Sequence, residues 1–131
     1  MNVSDQEVKD ALLRVGAALR EQKEQIVAAN LEDLKLFAED DPIWDRVLLN
    51  GERIEGVVQS LEEIAGYESP LDIVLEKRKL ENGLELEKVT VPLGVVGAIF
   101  EARPNVVVDI FALCFKSKNA CILKGGSQSA H

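Results

Sequence analysis

Near the end of the chain, Lys124-Gly125-Gly126-Ser127 combines residue types suited to an anion. The glycines let backbone amides approach a phosphate closely, and the lysine supplies positive charge. Ser127 can cap a helix whose amino end favours the same group. The plainer reading is a turn with two glycines and a solvated lysine. The second chemically marked stretch is Phe100-Glu101-Ala102-Arg103-Pro104-Asn105, which sets Glu101, Arg103 and Asn105 in the half of the chain suited to an anion. Its alternative is an ion pair between Arg103 and Glu101 or Asp109. Neither stretch has P-loop spacing, and Gly94 and Gly97 do not make a G-x-G-x-x-G fingerprint.

Other reactive side chains offer less. Cys114 falls on the helix face of Val107 and Ile110, and Cys121 lies within an apolar strand, so both read as small core residues. A catalytic thiol needs an exposed, electropositive position. Two cysteines seven residues apart match neither a disulfide framework nor a common zinc pattern. The lone histidine, His131, ends the sequence, so this chain cannot build a histidine-based triad or metal cluster. Asp109, near a helix start, is most simply a residue that compensates the helix dipole.

Both marked stretches depend on a βαβ unit to bring them together. Val95–Phe100 and Ala120–Leu123 read as buried parallel strands, with a loop at Glu101–Asn105 and a helix at Val106–Lys116 between them. Ligands in open α/β sheets bind beyond the carboxyl ends of the strands, where both stretches fall. Upstream, Asn82-Gly83 between Ile73–Leu80 and Leu84–Val91 signals a β-hairpin with a type I′ turn. A two-residue turn there places Arg78 opposite Glu87.

The first seventy residues read as helices. Ser4 and Glu7 form a capping box ahead of Val8, Leu12, Val15 and Leu19 at helical spacing. Glu21–Ala29 continues the pattern, and Asn30 with Asp33 offers a second start through Leu34 and Phe37. Asp40-Asp41-Pro42 breaks it. Trp44 reads as a packing anchor. Arg53 to Ala65 is a further amphipathic helix, with Gly66 as its stop.

Composition bounds the partners. Twenty-three acidic against fifteen basic residues give a net charge of −8, which disfavours nucleic acid and anionic membranes. Residues 1–70 carry −9 and residues 71–131 carry +1, so an anion site belongs in the second half. The longest apolar runs fall far short of the roughly 20 residues that span a bilayer. No secretory pattern opens the chain, and the cytoplasm is the expected compartment. At 131 residues the chain is one domain or a piece of a larger protein. The loop after Leu123 has no helix behind it and two parallel strands make a poor sheet, so the sequence reads as the front of something longer.

Val91-Pro-Leu-Gly-Val-Val-Gly-Ala-Ile-Phe-Glu-Ala-Arg-Pro-Asn105 resembles the signature stretch of the γ-glutamyl phosphate reductase family, within the aldehyde dehydrogenase superfamily. So does Ala112-Leu-Cys-Phe-Lys-Ser-Lys-Asn-Ala-Cys-Ile-Leu-Lys-Gly-Gly-Ser127. Asp45-Arg-Val-Leu-Leu-Asn-Gly-Glu-Arg-Ile54 is similar to an upstream motif of that family. Ile26, Ala29-Asn30 and Asp33-Leu34 are similar to a pattern across the superfamily.

The resemblance implies an α/β fold and NADPH-dependent reduction of L-glutamyl 5-phosphate to glutamate 5-semialdehyde in proline biosynthesis. It implies a cysteine nucleophile in a separate catalytic domain downstream, since neither Cys114 nor Cys121 matches that motif. Residues 1–70 would form the helical part of the nucleotide-binding domain and 92–131 its first βαβ unit. Residues 71–91 would be a hairpin for homo-oligomerisation. Lys124 would contact the adenosine ribose or its 2′-phosphate, with Gly125, Gly126 and Ser127 as companions. Phe100 and Glu101 would lie near the nicotinamide side of NADP(H). Where ordinary aldehyde dehydrogenases carry an oxyanion asparagine six residues after the second glycine, this chain has Arg103, and Asn105 lies eight after Gly97. Arg103 and Asn105 would then face the substrate acyl phosphate. No Pro-Trp-Asn loop is present, which argues against an ordinary aldehyde oxidiser. Two other readings stay open: a superfamily member with a different acyl substrate, and a non-catalytic association module.

Overall fold

The computed structural model describes residues 3–128. Four helices come first: α1 (Asp5–Glu21), α2 (Lys23–Leu34), α3 (Pro42–Val47) and α4 (Gly51–Gly66). The hairpin strands β1 (Val74–Lys79) and β2 (Glu85–Val89) follow, then β3 (Val95–Ile99), α5 (Asn105–Lys116) and β4 (Ala120–Lys124). The mixed α/β class expected from the sequence is what forms.

The capping box fixes the start of α1. Ser4 Oγ accepts from Glu7 N at 3.2 Å, and the Glu7 carboxylate accepts from Ser4 N at 2.7 Å. These bonds favour the charged form of Glu7 and hold its pKa below the usual value. One turn on, Val8 and Leu12 enter the main core with Leu61, Ala65 and Ala112. The helices come close because α1 carries Gly16 there; a Cβ would sit 3.2 Å from Val58 Cγ1. Phe111 and Phe115 of α5 stack at 5.4 Å and close the cluster.

The second helix start does not occur. Helix α2 runs through Asn30 to Leu34. Asn30 is buried, donates to Val47 O at 2.8 Å and accepts from Leu49 N at 2.6 Å. Two backbone groups needing partners, one buried and one half-buried, outweigh its tendency to cap. Phe37 lies beyond the helix and packs with Ile43 and Trp44 around Leu34, Val47 and Ala102. Asp41-Pro42 therefore opens a helix instead of ending one. Asp41 accepts from Ile43 N at 2.9 Å, and Pro42 occupies the first turn. Asn50 caps α4 two residues earlier than expected, accepting from Arg53 N. At the far end of α4 the buried Lys116 donates to Tyr67 O at 2.5 Å, serving a carbonyl left free past the last turn.

The hairpin forms with a different turn. Gly83 N donates to Leu80 O and Leu80 N to Leu84 O, closing a three-residue loop. Gly83 has φ +87° and Asn82 is not left-handed, so this is a type I turn with a glycine bulge. The extra residue shifts the register. Lys77, not Arg78, faces Glu87, with Nζ 2.7 Å from the carboxylate, and Arg78 faces Leu86. Every side chain of both strands is exposed.

Strands β3 and β4 pair in parallel, Val95 opposite Ala120 and Ile99 opposite Lys124. They are not buried on both faces, as the continuous apolar pattern suggests. Val96, Ala98, Cys121 and Leu123 are half-covered, while Val95, Ile99 and Ile122 are open, Ile99 at 89%. One crossover helix can cover only one side of a two-stranded sheet. Among the described residues no helix is long and apolar enough to cross a membrane.

Candidate functional site

The crossover brings the marked stretches together. Phe100 N donates to Lys124 O at 3.1 Å, extending the parallel pairing one step past the strands. Ala102, 2% exposed in the cluster of Leu34 and Val47, pins the following loop against the helical layer. Arg103 and Pro104 then lead into α5 at Asn105. Across the gap Gly125 approaches the Phe100 ring, so that a Cβ there would lie 3.4 Å from it.

Two cavities meet at this loop. The larger, about 580 Å³ and mostly apolar, lies at the carboxyl ends of β3 and β4. Phe100, Glu101, Arg103, Gly125 and Gly126 line it from the βαβ side, and Ile26, Asn30 and Asp33 from α2. The smaller, about 340 Å³, lies between α3, α4 and the start of α5 and holds Arg46, Arg53, Ser60, Arg103, Asn105 and Asp109. Arg103 and Leu49 belong to both walls.

The candidate residues thus separate. Five line the larger cavity, and Arg103 and Asn105 line the smaller. Lys124 and Ser127 line neither: Lys124 is exposed, its amine donating to Gly125 O at 2.6 Å, and Ser127 sits in an exposed turn. Beside them Gln128 Oε1 is a buried acceptor with no partner among the described residues. His131 lies outside the described residues.

Charge partners are specific. Arg103 forms no ion pair with Glu101 or Asp109. Asp109 instead accepts from Asn105 Nδ2 at 3.1 Å, which occupies one of the hydrogens Asn105 could offer elsewhere. Arg53 donates to the Asp45 carboxylate and to the carbonyls of Asp45 and Leu48. Neither Arg46 nor Arg103 has a side-chain hydrogen bond or ion pair among the described residues. Sequence reasoning missed Arg46 and the inward role of Asn30. The first stands in the Asp45–Ile54 motif, and the second could have been suspected from a polar residue amid the α2 apolar stripe.

The cysteines are not placed for nucleophilic work. Cys114 is buried and Cys121 half-buried. Burial pushes the Cys114 thiol above its ordinary pKa, and neighbouring Cys121 adds to the rise. A raised pKa means less thiolate at any pH below it. We expect Cys114 to alkylate far more slowly than Cys121 at pH 8, by mass spectrometry of iodoacetamide-treated native chain, with equal rates in urea. Equal native rates would contradict the burial. Among the described residues no group of histidine, cysteine, aspartate and glutamate could hold a metal ion.

A parallel βαβ unit against a helical layer, with a glycine-rimmed cavity past its strand ends, defines an α/β protein with the ligand position of open sheets. No protein-family model matches the chain. It is 47% identical over 127 residues to a γ-glutamyl phosphate reductase of Chlorobium limicola, covering 97% of this chain and 30% of that protein. The crystal structure of the γ-glutamyl phosphate reductase from Saccharomyces cerevisiae superposes with a TM-score of 0.88 at 38% identity, over 98% of this chain and 33% of that one. The Thermotoga maritima enzyme gives the same score at 32% identity, covering 98% and 32%. Nearly the whole chain is thus similar to part of the γ-glutamyl phosphate reductases. It spans about 30% of the length of the curated relatives it matches.

Proposed function

We propose that this chain is the cofactor-binding front part of an enzyme that reduces L-glutamyl 5-phosphate to L-glutamate 5-semialdehyde with NADPH, in proline biosynthesis. The larger cavity carries the reading. It is concave and mostly apolar, rimmed by two glycine backbones, and open at the strand ends where organic phosphates bind. NADPH, when bound, supplies a hydride. The chain's own residues hold and orient: Gly125 and Gly126 offer close backbone approach, and Lys124 with Ser127 turns to the ribose or its 2′-phosphate. Phe100 and Glu101 form the wall on the nicotinamide side. Arg103, between the cavities, meets the acyl phosphate group, with Asn105 beside it.

In this reading residues 1–70 and 92–131 belong to the nucleotide-binding region, and the nucleophilic cysteine is neither Cys114 nor Cys121. The exposed hairpin of residues 71–91, with Val74, Leu75, Leu86 and Val89 open to solvent, is the arm for self-association. The net charge of −8 argues against nucleic acid and anionic membrane as partners, and the cytoplasm is the compartment we assign.

Calorimetric titration of the chain tests this. NADPH should bind tighter than NADH, and Lys124→Ala should erase that preference by about tenfold, the size of one lost charged hydrogen bond. The chain alone should show no reductase turnover. Binding of neither dinucleotide would overturn the proposal, and an unchanged preference would remove Lys124 from it.

A further inference from the structure

We propose that the smaller cavity receives the amino-acid head of the substrate, with Arg46 binding the α-carboxylate and Asp109 the α-ammonium. This rests on the reading that the substrate is a glutamyl phosphate, and it concerns residues beyond the phosphate contact. Among the described residues Arg103 is the one cationic residue on both cavity walls. A phosphorylated carbonyl held there lies beside the cofactor cavity, and the rest of the molecule has the smaller cavity to enter. At about 340 Å³ that cavity has ample room for a five-carbon amino acid.

The charges left unmatched in it select the ligand. Arg53 and Asp45 satisfy each other, and Ser60 donates its hydroxyl to Gly56 O. What remains is Arg46 and Arg103, both without a side-chain partner among the described residues, and Asp109 with one bond from Asn105. Two cations and one anion complement a group carrying a carboxylate, an ammonium and a second anionic end. A divalent cation would face two guanidinium groups. A simple phosphate or dicarboxylate would leave Asp109 unmatched.

Amide chemical shifts of the isotope-labelled chain, titrated with L-glutamate, glutarate and 4-aminobutyrate, test the assignment. Glutarate lacks the ammonium, and 4-aminobutyrate lacks the α-carboxylate. L-glutamate should shift residues 45–60 and 103–109 and bind about tenfold tighter than either analogue, the value of one charge-assisted contact. Arg46→Gln should make L-glutamate no better than 4-aminobutyrate, and Asp109→Asn should make it no better than glutarate. Amide dispersion confirms that each variant folds. Equal binding of the three ligands by the unaltered chain, shifts elsewhere, or no binding overturns the assignment, whatever the variants do. Adding NADPH to the same samples separates the two proposals. Dinucleotide binding without glutamate binding sinks only the head pocket. Glutamate binding without dinucleotide binding sinks the reductase reading and leaves an amino-acid site.

Discussion

Leu12→Ala will lower the unfolding free energy by about 2–5 kcal/mol, the range for emptying a buried leucine site. Leu12 is 0% exposed and packs in the core where α1, α4 and α5 meet. The cavity would open between elements held apart by Val8, Leu61 and Ala112, so little could relax into it. Domains of this size have only about 5–15 kcal/mol to lose. Urea denaturation followed by helix ellipticity measures the change, with Leu36→Ala as control because Leu36 is 65% exposed. That control should move stability by no more than about 0.5 kcal/mol. A loss below about 1 kcal/mol at Leu12 would mean that α1 does not dock as described.

Asn30→Ala should cost about 1–3 kcal/mol, out of proportion to the few atoms removed. Its amide joins Val47 O and Leu49 N, one from the end of α3 and one from the connector to α4. Removing it strands a buried carbonyl and an amide together. The effect is also local, because Leu49 belongs to the walls of both cavities. Hydrogen exchange at the Leu49 amide should quicken well beyond what the global stability change explains. Unchanged exchange there would show that the connector is held by something else.

Much of the fold was legible because it is written locally. The Ser4–Glu7 box lies within four residues, and the Val8–Leu12 stripe within one helix. The parallel unit announced itself by apolar strands on either side of a helical stretch. Hairpin register was not legible, since it turned on whether one or two residues took positive φ, and only Gly83 does. Asn30 was misread because capping is a local preference and its partners lie 17 and 19 residues away. The open face of β3 and β4 escaped for a related reason: a sequence records that a strand is apolar, not how many layers cover it. The glycine and arginine stretches were visible as types, whereas the smaller cavity was not. Its walls come from residues 45–60 and 103–109, and only folding brings these together.

The docking of α1 onto α4 and α5 also sets a timetable for the chain during synthesis. Helix α1 is finished by Glu21, yet its main partner α4 is complete only at Gly66, and α5 only at Lys116. At roughly 5–20 residues per second, its apolar stripe waits on the order of 2–9 s for α4 to follow it. The hairpin strands pair across only three loop residues and need no such delay. Helix α1 is thus made before the surface that secures it, and in that interval Val8 and Leu12 are open to chaperones.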